Sequence, residues 1–118
     1  MENDIVYKSL LYDFYGELLT NKQKNIVDMY YNHDLTLSEI SENIDISRQG
    51  VYDALKRAEN TLEGYEVKLK LVERFIKQNC LLKKANSKLD QILCSEFSNV
   101  EELRYKLNDI KSIIKQLI

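Results

Sequence analysis

Apolar residues recur at helical spacing in two short runs between residues 36 and 58. Leu37, Ile40 and Ile44 lie three or four residues apart, which is typical of one face of a helix. The second run has the same spacing, and its apolar residues are Val51, Ala54, Leu55 and Ala58. The pattern predicts two short helices joined by a tight turn, which is the sequence form of a helix-turn-helix.

Polar residues at the ends of the two runs support this prediction. Thr36 and Glu39 have the spacing of a capping box, in which each side chain satisfies a free backbone amide at the helix start. Asp45 stands where the chain must reverse, and aspartate tolerates positive φ better than most residues do. Ser47 is the expected N-cap of the second helix. Ser41 is small and lies where the second helix is expected to approach the first most closely.

Two further helices are predicted before this motif. Residues 5–19 form the first, and the apolar residues on its expected inner face are Tyr7, Leu10, Leu11, Phe14 and Leu18. Thr20 and Gln23 form another capping box and begin the second helix, which runs to about Asn32. The inward residues of the second helix are expected to be Ile26, Val27, Tyr30 and Tyr31.

The apolar spacing continues beyond residue 58 as a heptad-like seam. Its members alternate at four and three residues and are Val51, Leu55, Ala58, Leu62, Tyr65, Leu69, Val72 and Ile76. Gly64 interrupts the seam and lowers helix propensity by about 1 kcal/mol relative to alanine. The seam therefore predicts either one long helix that continues from the motif or a helix that bends or breaks near Gly64.

Residues 77–118 are expected to form a helical hairpin or an extended pair of helices. The first stripe consists of Leu81, Leu82, Ala85, Leu89, Ile92 and Leu93. Ser98 and Glu101 are expected to form a third capping box before a last helix with Val100, Leu103, Leu107, Ile110, Ile114 and Leu117. Such stripes need a covering surface, which could be residues 1–35, a second copy of the chain or another protein. The heptad spacing favours a homodimer.

Composition agrees with an all-α fold. The 118 residues include no proline and only three glycines, so helix breakers are scarce. We expect a helix-turn-helix domain at residues 1–64, with its motif at 36–58, and a long C-terminal helical extension at 65–118 for dimerisation or partner docking. The N-terminus lacks a signal-peptide pattern, and no apolar run approaches the roughly 18 residues of a membrane span. A protein without membrane insertion is expected.

The outward face of the second motif helix is the candidate contact surface. Its polar residues, together with the N-cap serine, are Ser47, Arg48, Gln49, Tyr52, Asp53, Lys56 and Arg57. In DNA-reading proteins of this type, the first residues of this helix enter the major groove. Arg48 and Gln49 have side chains that match guanine and adenine edges, whereas Ser47, Lys56 and Arg57 suit phosphates. These residues could instead form an ordinary solvated helix face.

Charge complicates a nucleic-acid interpretation. Residues 1–35 and residues 36–64 each carry 3 basic and 6 acidic side chains, whereas residues 77–118 carry 8 basic and 5 acidic ones. Most sequence-independent affinity for nucleic acid comes from lysine and arginine at phosphates. A single domain is therefore expected to bind DNA weakly and to need a dimer, a basic segment or a partner protein.

Enzyme, metal and cofactor chemistry finds little support. Cys80 and Cys94 lie 14 residues apart without a paired spacing, so we expect reduced cysteines and no metal ligation. His33 is the only histidine and stands in a polar connection, where we expect a solvated loop residue. Glycine-rich phosphate loops and paired catalytic residues are not found in the sequence. We predict no catalytic residues, no metal site and no cofactor.

Several separate segments resemble one known family. The segments are 11–24 (LYDFYGELLTNKQK), 29–40 (MYYNHDLTLSEI), 46–57 (ISRQGVYDALKR) and 62–69 (LEGYEVKL). They look like the YlxM family of small bacterial helix-turn-helix proteins, over about residues 5–76. The LTLSEI segment also resembles the promoter-binding region 4 of sigma factors, which belongs to the winged-helix-like superfamily but has no wing.

The resemblance implies a cytoplasmic DNA-binding protein that takes part in the signal recognition particle pathway. It places Arg48, Gln49, Tyr52, Asp53 and Lys56 on the exposed recognition helix. Either duplex DNA or the particle's RNA could be the nucleic acid. The alternative is an adaptor that binds the particle's GTPase through its helices, which the acidic surface favours.

Overall fold

A computed structural model describes residues 2–118 and the side chains of residues 4–118. Every regular element in this part of the chain is helical, so the all-α prediction is confirmed. The α-helices are α1 (Glu2–Tyr15), α2 (Asn21–Tyr31), α3 (Leu37–Ile44), α4 (Arg48–Leu69), α5 (Leu71–Leu93) and α6 (Val100–Lys115), and a short 3-10 helix spans Gly16–Leu18. The chain divides into two compact units, one ending at Val72 and one from Glu73 to Ile118.

Helices α3 and α4 form the predicted helix-turn-helix. The Thr36 hydroxyl accepts a hydrogen bond from the Glu39 backbone N–H, and the Glu39 carboxylate accepts one from the Thr36 N–H, both at 3.1 Å. Asp45 ends α3 in the left-handed region (φ 56°, ψ 47°). The Ser47 hydroxyl then accepts a 3.0 Å bond from the Gly50 N–H and begins α4. The local signals in the sequence are thus the contacts that shape the motif.

Ser41 stabilises the corner of the motif. Its hydroxyl donates a 2.5 Å hydrogen bond to the carbonyl of Ile46, in the turn that leads into α4. Ile40 of α3 and Val51 of α4 are both completely buried in the same core cluster. The turn is therefore held by a side-chain hydrogen bond as well as by packing.

Helix α4 packs against α1, α2 and α3 and is the central element of the first unit. The buried core of the unit consists of Leu11, Tyr15, Leu19, Ile26, Val27, Met29, Ile40, Val51, Leu55, Ala58, Leu62 and Val72. The seam from Val51 to Val72 is thus covered within its own unit rather than by another molecule. Its member Leu69 is half exposed.

The inner faces of α1 and α2 differ in part from the predicted ones. Phe14 and Leu18 are 38% and 56% exposed, whereas Tyr15 is buried. Two features explain the difference. The Tyr15 hydroxyl is hydrogen-bonded inside the unit. The α-helix changes to a 3-10 helix at Gly16, so that Leu18 no longer lies on the same face as the apolar residues of α1. The Thr20 capping box of α2 is confirmed, but Met29 is buried in this helix where Tyr30 was expected.

Helix α4 continues through Gly64 and ends at Leu69. The sequence alone could not decide between a continuous helix and one that bends or breaks at this glycine. Lys70, between α4 and α5, takes the left-handed conformation (φ 56°, ψ 30°). A Cβ atom added to Gly64 would meet nothing within 4 Å, so the glycine is not required by packing. The first compact unit includes residues 65–72, whereas the sequence predicts a domain that ends at residue 64.

The second unit is an antiparallel pair made by α5 and α6. Its core consists of Ala85, Ile110 and Ile113, against which Leu81 and Ile92 pack. The predicted cap at Ser98 and Glu101 is wrong by one residue. Asn99 is the N-cap of α6, and its side chain accepts a 2.8 Å hydrogen bond from the Glu102 N–H. Asparagine is at least as good an N-cap as serine, and its extended backbone suits the position.

A membrane span would need a longer and more apolar helix than any found in residues 2–118.

Candidate nucleic-acid interface

The candidate contact residues all lie on the first three turns of α4 or at its N-cap. They are Ser47, Arg48, Gln49, Tyr52, Asp53, Lys56 and Arg57, and each is exposed. On the opposite side of the same turns, Val51, Leu55 and Ala58 are buried against α1, α2 and α3. The apolar side of α4 therefore fixes the direction in which its polar side faces.

The exposed residues form two rows along the helix. At about 100° per residue, Gln49, Asp53 and Arg57 point directly away from the buried side. Arg48, Tyr52 and Lys56 form the second row, which lies on one flank of α4. Tyr52 and Lys56 of this row border a cleft of about 560 Å³ that also contacts Tyr31 and the start of α3.

Pairing within the surface separates its cations into two kinds. The Lys56 ammonium lies 3.4 Å from the Glu59 carboxylate and 5.6 Å from the centre of the Tyr52 ring. Among the side chains that the structure describes, Arg48 and Arg57 form no ion pair. The two arginines are thus the cations on this surface that can bind an anion without breaking an existing pair.

The outward row also contains a carboxylate. The Gln49 amide donates a 3.1 Å hydrogen bond to Asp53, one helical turn away. Asp53 thus accepts from one of the two N–H donors of the amide, and the other donor and the amide oxygen are the groups left for an adenine edge. Any contact of Gln49 with a base would therefore share the amide with Asp53 or replace this bond.

A nearly buried carboxylate that was not predicted from the sequence lines the cleft. Glu59 is 8% exposed, and its Oε1 accepts a 2.6 Å hydrogen bond from the Tyr31 hydroxyl. Its Oε2 lies 3.3 Å from the Lys8 ammonium and 3.4 Å from that of Lys56. Glu59 therefore ties α1 and α2 to the helix that carries the candidate interface.

This cluster changes the titration of its members. Burial, together with the hydrogen bond to Glu59, raises the pKa of Tyr31 far above its ordinary value of 10.0. Burial lowers the pKa of Lys8, but the Glu59 carboxylate outweighs that effect, so that the net shift is upward. Tyr31 and Lys8 thus remain protonated donors to Glu59 throughout the neutral range.

A second buried carboxylate lies one heptad further along α4. Glu66 is 7% exposed and accepts hydrogen bonds from the Tyr15 hydroxyl at 2.5 Å and from the Val72 N–H at 3.0 Å. The Tyr15 hydroxyl accepts in turn from the Leu71 N–H at 3.1 Å. Glu66 and Tyr15 therefore cap the first turn of α5, whose amides have no carbonyl partners within their own helix.

The sequence did contain a signal for both carboxylates. Glu59 and Glu66 are seven residues apart, and both directly flank seam residues on the buried side of α4. Residues beside a buried seam are partly covered by the helices that pack on it, and a carboxylate buried there needs a donor. The eight tyrosines of the chain supply hydroxyl donors for them.

The buried tyrosines predict a loss of stability at alkaline pH. The pKa values of Tyr15 and Tyr31 are both raised above 10.0, first by burial and then by their glutamate partners. Their contribution is complete below about pH 10 and is lost as the pH rises above it, because the unfolded chain releases these protons first. We expect the urea midpoint to fall above about pH 10, and to fall less steeply in Tyr31→Phe.

Exposed Tyr105 provides the control for this measurement. Tyr105→Phe should leave the pH dependence of the urea midpoint unchanged, because its side chain is 75% exposed. A midpoint that stays constant across this range in the parent protein would contradict the assignment of Tyr15 and Tyr31 as buried donors.

Other residues considered for chemistry lie at the surface. The His33 Nε2 is 3.2 Å from the Asp28 carboxylate, and the imidazole is well exposed. Cys80 and Cys94 are free and exposed. Within the described part of the chain, the carboxylate, histidine and cysteine side chains form no group of three or more that could hold a metal ion.

Comparison with known proteins identifies the family of this helix-turn-helix chain. The model of the UPF0122 family, described as "Putative helix-turn-helix protein, YlxM / p13 like", matches residues 2–117. The chain belongs to this family. The resemblance to YlxM proteins found in the sequence is thereby confirmed, and the match includes the C-terminal helices α5 and α6.

Relatives in the UPF0122 family are similar over different lengths. A UPF0122 protein of Caldanaerobacter subterraneus is 65% identical over 74 residues, which is 63% of each chain, so the alignment spans less than two thirds of that relative. One from Lactococcus lactis is 43% identical over 95 residues, or 79% of this chain and 86% of the relative. One from Bacillus mycoides is 43% identical over 103 residues, or 87% and 90%.

Proposed function

We propose that this UPF0122 protein is a non-enzymatic, DNA-binding helix-turn-helix protein that contacts nucleic acid through the exposed side of α4. The observation that carries the proposal is the pair of arginines at the surface. Arg48, at the exposed N-terminal end of α4, and Arg57, on the side of α4 that faces away from the core, lie about 180° apart around the helix, and neither forms an ion pair with a described side chain. A rigid helix with free guanidinium groups is the arrangement that places side chains in a major groove.

The charge balance limits how strongly one unit binds. Residues 1–72 carry 8 basic and 13 acidic side chains, and residues 73–118 carry 9 basic and 6 acidic ones. Because phosphate contacts supply most of the affinity, the first unit alone binds weakly. A homodimer is part of the proposal, since it would present two α4 surfaces to one nucleic acid.

The resemblance to the YlxM family supports the biological setting. We place the protein in the cytoplasm, in the signal recognition particle pathway, where its nucleic acid is either duplex DNA or the particle's RNA. RNA helices have a deep and narrow major groove, so that binding there would depend on phosphates and shape. The basic residues of α5 suit such contacts better than the acidic first unit does.

The proposal is tested by titrating labelled duplex DNA and the particle's RNA at several salt concentrations. We expect Arg48→Ala/Arg57→Ala to weaken binding about tenfold or more at low salt. If both arginines contact phosphates of duplex DNA, the slope of log K against log salt should become shallower by up to about 1.8. The matched control is Lys22→Ala/Lys68→Ala, which removes two exposed cations from other parts of the same unit.

The outcome depends on the comparison between the two double variants. A loss confined to the arginine variant supports the α4 surface. Equal losses of affinity in both variants would mean that binding depends on the positive charge of the unit and not on the α4 surface. If the parent protein bound neither nucleic acid, the proposal would be rejected.

An adaptor that binds the particle's GTPase is the second candidate. The observation that favours it is the apolar surface of the second unit, where Leu82, Val100 and Leu107 are all exposed. If the protein binds purified GTPase with unchanged affinity in the arginine double variant, and binds neither nucleic acid, the adaptor function is favoured.

A further inference from the structure

The second unit has a small core for its size. Of the 46 residues from Glu73 to Ile118, only Ala85, Ile110 and Ile113 are buried hydrophobic residues. Large apolar side chains on both helices remain exposed, and they include Leu82 (53%), Leu89 (40%), Val100 (69%), Leu107 (45%) and Ile114 (44%). A two-helix layer of this kind normally buries its apolar side against another layer.

The direction of the pair follows from its contacts. The Lys88 ammonium bonds the Asp109 carboxylate at 2.5 Å. Ile92, one turn after Lys88 on α5, lies beside Tyr105, one turn before Asp109 on α6. The two helices are therefore antiparallel neighbours.

The exposed apolar residues hold matching positions on the two helices. Leu82 and Leu89 are three residues before and four after buried Ala85, and Leu107 and Ile114 have the same offsets from buried Ile110. At about 100° per residue, the residue three positions before the buried one is rotated from it by about 60° around the helix, and the residue four positions after it by about 40°. Both rotations have the same sense, and they are the same on α5 and on α6. Antiparallel neighbours are related by a two-fold axis normal to their plane, so equal rotation puts both pairs on one side of the hairpin.

The other side of the hairpin is polar. Lys88 and Asp109 are rotated in the opposite sense from Ala85 and Ile110, and their ion pair lies on that side. We call the side that carries Leu82, Leu89, Val100, Leu107 and Ile114 the apolar face. The unit thus has one face for water and one face that resembles half of a bundle core.

We propose that the apolar face binds the apolar face of a second copy of the chain, so that two hairpins form a four-helix bundle. The same offsets on α5 and α6 make the face complementary to itself. Its residues repeat every seven positions on each helix (82 and 89; 100, 107 and 114), which suits knobs-into-holes packing.

Charge at the edges of the face selects how the copies pair. The outer edge of α6 carries Arg104, Lys111 and Lys115, whereas the outer edge of α5 carries Asn79, Asn86 and Asp90 and a single cation, Lys83. Packing α6 on the α6 of the second copy would bring like charges together. The bundle therefore places α6 of one copy over α5 of the other, and this choice also brings Asp90 to a basic edge.

The oligomeric state of the full chain, measured without nucleic acid by sedimentation velocity over the micromolar range, tests the proposal. We expect twice the chain mass of 13.9 kDa. Leu82→Glu/Leu107→Glu should sediment as a monomer, because it would bury four carboxylates in the bundle. The control is Cys80→Glu/Tyr105→Glu, which adds the same charge at exposed positions on the polar side and should remain a dimer.

A charge-reversed partner keeps the test decisive if the glutamate variant unfolds. Leu82→Lys/Leu107→Lys, mixed with the glutamate variant, should restore helix content and the dimer mass. A monomeric parent protein, a parent dimer unaffected by the glutamates, or equal dissociation of the control would each overturn the proposal. Because nucleic acid is absent from the assay, failure here is separate from failure of the α4 surface.

Discussion

Glu66→Ala is expected to lower the free energy of unfolding of the first unit by about 3 kcal/mol, because it leaves buried donors without an acceptor. The Tyr15 hydroxyl and the Val72 N–H both donate to this carboxylate. Water cannot easily replace it, since Tyr15 and Val72 are 1% and 0% exposed. Urea unfolding followed by circular dichroism measures the effect.

Two variants separate this effect from a general loss of helix stability. Lys68→Ala changes an exposed residue of the same turn and should alter the free energy of unfolding by no more than about 0.5 kcal/mol. Tyr15→Phe should cost less than Glu66→Ala, about 1 to 2 kcal/mol, because Glu66 still accepts from Val72. If the double variant Tyr15→Phe/Glu66→Ala lost as much free energy of unfolding as the two single variants together, the two residues would not act as a pair.

The helix-turn-helix was predictable because its signals are local. Thr36 and Glu39, Asp45 and Ser47 act within three or four residues of their partners, and each takes the predicted role. Such contacts depend on sequence spacing alone. The exposed direction of α4 followed as well, since the positions of Val51 and Leu55 define its buried side.

The long-range features were not predictable in the same way. Tyr15 and Glu66 are 51 residues apart, as are Lys8 and Glu59, and no spacing rule connects them. Their pairing rotates α1 so that Tyr15 rather than Phe14 is buried. The heptad seam showed that a surface had to be covered, but it could not show that α1 and α2 of the same chain would cover most of it.

The candidate interface shows the same division between local and long-range information. Sequence spacing placed Arg48 and Lys56 on one helix side, but it could not show that they differ in pairing. Lys56 lies at the edge of the Glu59 cluster, whereas Arg48 does not. The structure therefore changes which cations are expected to carry nucleic-acid binding.

Glu59→Gln is expected to change stability and nucleic-acid binding in opposite directions. The amide retains an acceptor for the Tyr31 hydroxyl but loses the charge that holds Lys8 and Lys56. We expect the free energy of unfolding to fall by about 2 kcal/mol, because the charge-assisted contacts of two ammonium groups with a carboxylate are replaced by weaker contacts with a neutral amide. The released Lys56 would be available to phosphate, so affinity for duplex DNA should rise a few-fold at low salt, with a salt slope steeper by up to about 0.9.

Glu17→Gln is the matched control, because it also removes one negative charge and releases a lysine. Glu17 lies in the 3-10 helix between α1 and α2, and its carboxylate is 2.6 Å from the ammonium of Lys24 in α2. The Glu17 side chain is 87% exposed. This variant should leave the free energy of unfolding nearly unchanged, as exposed ion pairs contribute little. If it raised DNA affinity as much as Glu59→Gln, net charge would explain the gain. A gain confined to Glu59→Gln would instead mean that a buried carboxylate restrains the contact surface while it holds the fold together.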